Sequence, residues 1–172
     1  MNDERIENDT PAPTRPDGLW ADDLTPGLTF TSREYPITEA GIIEFARQFD
    51  PQPFHLDADA AVGTFFDGLV ASGWYTAAVT TRLLVEAFPV ATGIVGGGGE
   101  LVWPSPTLPG DRLHLEIVVG DRTWSTSRSN RARVVVSHQT VNQRGEVRQR
   151  TTAQLIAWAR PPQRESRRPA QN

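Results

Sequence analysis

The sequence predicts an α+β fold, because its helical patterns come first and its strand patterns follow in one antiparallel series. Three observations carry that prediction. Ile42, Phe45, Ala46 and Phe49 recur at helical spacing, and a longer apolar stretch from Ser72 to Phe88 stops before Pro89. Four runs of strand character then follow without an intervening helix: Ile94 to Trp103, Arg112 to Thr123, Arg131 to Val141 and Glu146 to Trp158. The last two are joined by Asn142-Gln143-Arg144-Gly145, a hairpin turn whose glycine suits a left-handed position. Strands that do not alternate with helices exclude a doubly wound α/β architecture.

The chain of 172 residues suffices for one domain with a substantial core. Residues 1–26 are rich in proline and acids and show little apolar periodicity, so they are expected to be mobile or draped over the surface. The domain is placed at residues 27–159, and residues 160–172 read as a disordered tail. Within the domain, Leu28 to Tyr35 alternates around Phe30 as a short strand. Thr38 is suited to cap the first helix, with Glu39 in its first turn. Pro51 and Pro53 end that helix, since each lacks an amide donor and disfavours helix before it. Asp57 can cap a short helix from Ala58 to about Val62, and the long helix begins near Ser72.

Composition removes several classes of function. Seventeen basic residues against 21 acids give a net charge of −4, which argues against a nucleic-acid binder. No lysine occurs, which excludes Schiff-base chemistry, and no cysteine occurs, which excludes disulfides and thiol catalysis. The most apolar window, Leu69 to Phe88, contains Arg82, Glu86 and five hydroxyl side chains, so it reads as a buried helix rather than a membrane span. No apolar run follows a basic stretch at the start, and a cytoplasmic location is expected.

Three histidines limit the acid–base chemistry. His114 and His138 fall in strand patterns and read as partly exposed strand side chains. His55 stands in a rigid loop, Asp50-Pro51-Gln52-Pro53-Phe54-His55, where the prolines can hold its imidazole and the Asp50 carboxylate on one water. Carboxylate and imidazole together form a general acid–base pair. A second element is Leu69-Val70-Ala71-Ser72-Gly73-Trp74, which opens the long helix. Unpaired amides there form a positive pole suited to an oxyanion, and Gly73 admits close approach of a ligand. Ser72 serves as a cap on either reading, and no Gly-x-Ser-x-Gly elbow surrounds it. The run Gly96 to Gly99 lacks the Lys-Ser/Thr of a phosphate loop and reads as close approach of the long helix. His55-Leu56-Asp57 has no further residue at ligand spacing, so no metal and no cofactor are expected.

Taken together, Asp50-x-Gln52-Pro53-x-His55-x-Asp57 and Ala71-Ser72-Gly73-Trp74 resemble the MaoC-like acyl dehydratases, the (R)-specific enoyl-CoA hydratase group of the hot-dog superfamily. Glu100-Leu101-Val102-Trp103 and Pro109-Gly110-Asp111-Arg112-Leu113 look like that family's strand and turn, and the resemblance covers about residues 28–158. It implies a long central helix wrapped by a curved antiparallel sheet, and a homodimer. It assigns Asp50 and His55 to holding the water and moving the proton, and the Gly73 amide to the thioester oxygen. Thr81 takes the place of a supporting serine. Three departures from the family pattern are Gln52 for asparagine, Ser72 for histidine and Trp74 for methionine. Trp74 is expected to reshape the acyl pocket, with Trp103 or Phe65 as the alternative determinants of chain length. The implied reaction is reversible hydration of a 2-enoyl thioester, carried by coenzyme A or an acyl carrier protein. A hot-dog thioesterase and a non-catalytic acyl-thioester-binding subunit are the alternatives. The first needs a carboxylate near the helix start, and Glu86 lies thirteen residues beyond Gly73, about 20 Å along a helix.

Overall fold

A computed structural model describes residues 13–162; the expectations for residues 1–12 and 163–172 lie outside the described residues. Among the described residues a 3-10 turn (Ala21–Asp23) precedes four α-helices and six strands: α1 (Glu39–Phe49), α2 (Pro53–Leu56), α3 (Ala58–Ala61) and α4 (Gly73–Ala87), with β1 (Thr29–Thr31) and β2 (Tyr35–Pro36) before them and β3 (Val95–Val102), β4 (Arg112–Trp124), β5 (Arg131–Val141) and β6 (Val147–Trp158) after. The sheet is antiparallel throughout, in the order β1-β4-β5-β6-β3, with β2 also paired to β4. The single strand expected from Leu28 to Tyr35 is two short strands, both laid along β4.

Alternation builds the core. Leu113, Leu115, Ile117 and Val119 of β4 point inward with Val134 and Val136 of β5 and Leu155 and Ala157 of β6. Against them α4 turns Val79, Leu83 and Leu84, together with two buried threonines, Thr76 and Thr80. Thr80 is satisfied by a 2.7 Å hydrogen bond to the Thr140 hydroxyl, which lets a polar side chain sit under the helix. Truncating the fully buried Leu83 to alanine would cost about 2–5 kcal/mol. Among the described residues no helix is long and apolar enough to cross a membrane.

Each expected cap is made. Thr38 accepts from the Gly41 amide, Asp57 from the amides of Asp59 and Ala60, and Ser72 from the amide of Trp74. Pro53 does more than end a helix. It occupies the first turn of α2, where its missing N–H is no loss, and that turn carries His55.

Four expectations are corrected. The segment read as mobile through residue 26 is anchored at its end: Trp20, Ala21 and Leu24 are buried, and Leu19 bridges Val90. Arg160, placed in the tail, is held by Asp22 and Asp23. The glycine run approaches β6 rather than α4, for a Cβ at Gly99 would lie 2.5 Å from the Thr152 carbonyl oxygen. His138 is buried, because it continues the inward series of Val134 and Val136.

Candidate active site

The C-terminus of α1, the single turn of α2 and the N-terminus of α4 meet at one cavity of about 530 Å³. Asp50 caps the end of α1, and His55 follows on α2. The Val70 amide donates to the Phe54 carbonyl at 3.0 Å, joining α2 to the strand-like lead into α4. The Ala71 amide donates to the Thr107 carbonyl at 2.9 Å, which holds the opposite wall.

The dyad geometry is tight. His55 Nε2 lies 3.5 Å from Asp50 Oδ2, and the imidazole is buried. His55 Nδ1 is 2.7 Å from the Val70 carbonyl oxygen. A carbonyl only accepts, so Nδ1 carries a hydrogen and the ring presents Nε2 to Asp50 and the cavity. Asp50 is held as firmly. Gln52 Nε2 donates to Oδ1 at 2.8 Å, and the Ser72 hydroxyl donates to Oδ2 at 2.6 Å. Burial works against the charge on Asp50, but the hydrogen bonds from Ser72 and Gln52 and the proximity of His55 outweigh it and keep the carboxyl below its ordinary range.

Gly73 is the first residue of α4, so its N–H has no partner within the helix and faces the end where Asp50 and His55 sit. The absence of a side chain here has a visible cause. A Cβ at Gly73 would fall 2.8–3.0 Å from three atoms of the Trp103 ring. Trp103 in turn meets Trp74 edge to face, with centroids 5.4 Å apart. Phe54, Phe66, Pro104 and Pro106 complete the apolar lining.

Asp50, His55, Gly73, Trp74, Trp103 and Phe65 all line this cavity, and Ser72 borders it through Asp50. Thr81 does not belong to it. It stands on the exposed face of α4 with its hydroxyl on the Ala77 carbonyl. The threonine that reaches the cavity is Thr76, one turn into the helix, bonded to the Thr107 hydroxyl at 2.9 Å. Its helical alignment with Thr80 and Leu83 was available as a signal.

A long helix laid on an antiparallel sheet, with this acid–imidazole pair at its N-terminal end, defines a hot-dog protein. The chain belongs to the MaoC-like domain family, whose description "MaoC like domain" matches residues 24–142. It is similar to the MaoC-like dehydratase from Rhodospirillum rubrum, with 52% identity, a TM-score of 0.82 and coverage of 84% of this chain and 100% of that one. The unliganded R-hydratase PhaJ1 from Pseudomonas aeruginosa is similar at 26% identity and a TM-score of 0.65, over 81% of this chain and 86% of that one. The Bacillus subtilis protein YdeM is 30% identical over 103 residues, which is 59% of this chain and 73% of that protein.

Proposed function

We propose that this protein reversibly hydrates 2-enoyl thioesters to (R)-3-hydroxyacyl thioesters, carried by coenzyme A or an acyl carrier protein. The observation that supports it most is the 3.5 Å approach of His55 Nε2 to Asp50 Oδ2 in a cavity shared with the first amide of α4. With its hydrogen on Nδ1, His55 turns Nε2 to the place that Asp50 Oδ2 also faces. The pair suits a water that donates to both. With the thioester oxygen on the Gly73 N–H, the double bond is polarised and Cβ becomes electrophilic. The water oxygen adds to Cβ while its proton passes to His55 Nε2. In this reading the proton given to Cα is the one taken from the water. The Asp50 carboxylate holds the imidazolium formed between those steps, and the Gly73 N–H holds the enolate oxygen. Water has then been added as OH and H, with no cofactor used.

Homodimer formation in the cytoplasm is part of the same reading. β3 is an edge strand with exposed residues along most of its length, and pairing with a second copy would cover it. Incubation with crotonyl-CoA tests the chemistry. Loss of enoyl-thioester absorbance without thiol release is the expected result. Thiol release would make the protein a thioesterase, and neither change would leave a binding subunit.

A further inference from the structure

We infer that Trp103 is the wall that limits the length of the acyl group and that Gln149 is the positioning residue that keeps this wall in place; the inference rests on the acyl-thioester reading of the site. Gln149 takes no part in the proposed chemistry, yet it is 2% exposed. Its burial has a local cause in the register. Thr140 faces Gln149 and Val141 faces Val147, so Arg148 is an extra residue in β6 and both Arg148 and Gln149 turn inward. Arg148 is consumed by its ion pair with Asp111 at 2.8 Å. Gln149 is left facing the cavity wall.

The amide of Gln149 is fixed at both ends. Its Oε1 accepts from the Trp103 indole N–H at 3.0 Å, and its Nε2 donates to the Thr151 hydroxyl at 3.1 Å. An indole nitrogen only donates, so the acceptor must face Trp103 and the orientation is unambiguous. Trp103 is thereby bonded by Gln149 at its nitrogen, lies where a Cβ on Gly73 would fall, and meets Trp74 in a T-shaped pair. Of the three aromatic residues considered for the acyl pocket, Trp103 is the least exposed, at 40% against 63% for Trp74 and 92% for Phe65. A thioester docked on the Gly73 N–H brings its acyl group against a ring anchored by its hydrogen bond to Gln149. Extra methylenes must then displace this indole and break its bond to Gln149.

The test uses saturated butanoyl, octanoyl and dodecanoyl pantetheine thioesters, with binding followed by calorimetry, so that it does not depend on turnover. The parent is expected to bind the four-carbon thioester at least about tenfold more tightly than the twelve-carbon one. Trp103→Ala should remove most of that preference. Gln149→Leu should reduce it severalfold and shift the Trp103 indole N–H resonance, assigned by its loss in Trp103→Phe. Leu83→Ala, which weakens the core without touching the wall, should lower Tm and keep the parental preference. A parent without chain-length preference, or a Gln149→Leu protein with a shifted indole signal and an unchanged preference, overturns the inference. Binding with this preference but without hydration of crotonyl-CoA removes the hydratase reading and leaves the wall standing. No binding of any thioester overturns both.

Discussion

The Ser72 hydroxyl donates to Asp50 Oδ2 at 2.6 Å and accepts from the Trp74 amide at 3.2 Å, so one side chain joins the acid of the dyad to the first turn of α4. Ser72 is one of the positions where the chain departs from its family pattern, and Gln52, another departure, holds the second oxygen of the same carboxylate. The two substitutions act on one group. Together their donors hold the Asp50 carboxyl below its ordinary range and fix both of its oxygens beside the cavity.

The dyad itself comes first. Asp50→Asn keeps the shape of the side chain and the bond from Ser72 but removes the charge, while His55→Ala removes the proton acceptor. Each change should lower kcat/KM for crotonyl-CoA hydration by roughly a hundredfold or more while the protein stays folded. Near-parental activity in either folded variant would remove that residue from the mechanism.

Ser72→Ala tests the link. Losing a hydrogen bond to a charged group should cost roughly ten- to a hundredfold in kcat/KM. The sign of the pH effect follows from the bonds. Asp50 sits below its ordinary pKa because donors offset its burial, so removing the donor raises its pKa. The acid limb of kcat/KM should therefore move to higher pH, and Ser72→Thr, which keeps a hydroxyl, should return it. An acid limb that stays in place in Ser72→Ala would show that this bond does not tune Asp50.

His138 gives a stability prediction. Burial pushes its imidazole down to about 4 from an ordinary 6.5, and its Nδ1 has no partner. The unfolded chain takes up the proton first, so the stability that the neutral ring contributes is present above pH 6.5 and lost as pH falls toward 4. The loss amounts to about 3 kcal/mol at most across that window. Thermal unfolding of His138→Leu should show a shallower decline of Tm than the parent over the same range. Parallel declines would mean that the ring does not titrate differently in the two states.

What could be read in advance was local. Thr38, Asp57 and Ser72 announce helix starts, and the two prolines between Asp50 and His55 leave little freedom in how those side chains are presented. What could not be read depends on contacts distant in sequence. Trp20 packs with Ala91 and Trp158, and a lone tryptophan among prolines and acids shows no period. Trp103 meets Gly73 only after β3 has turned back along β6. The buried pair of Asp111 and Arg148 joins the turn before β4 to the start of β6 and depends on a one-residue bulge. Thr81 illustrates a different failure. Spacing taken from the family placed a hydroxyl at the site, whereas the helix turns Thr81 outward and presents Thr76.

Trp74 is the remaining departure, and the geometry separates its effect from that of Trp103. Its indole lines the cavity but is 63% exposed, and it meets Trp103 edge to face at 5.4 Å. An exposed ring at a cavity margin narrows the entrance and braces its neighbour, yet it can rotate away at modest cost. Its replacement by methionine removes volume and the aromatic contact, worth about 1 kcal/mol beyond buried area. Comparison of kcat/KM for four-, eight- and twelve-carbon enoyl-CoA in the parent and in Trp74→Met is the measurement. The eight-carbon substrate should gain severalfold relative to the four-carbon one, and the twelve-carbon substrate should gain less, because Trp103 still stands on Gly73. An unchanged profile would take Trp74 out of the acyl path. A gain as large as that of Trp103→Ala would make Trp74, rather than the ring bonded to Gln149, the true limit on length.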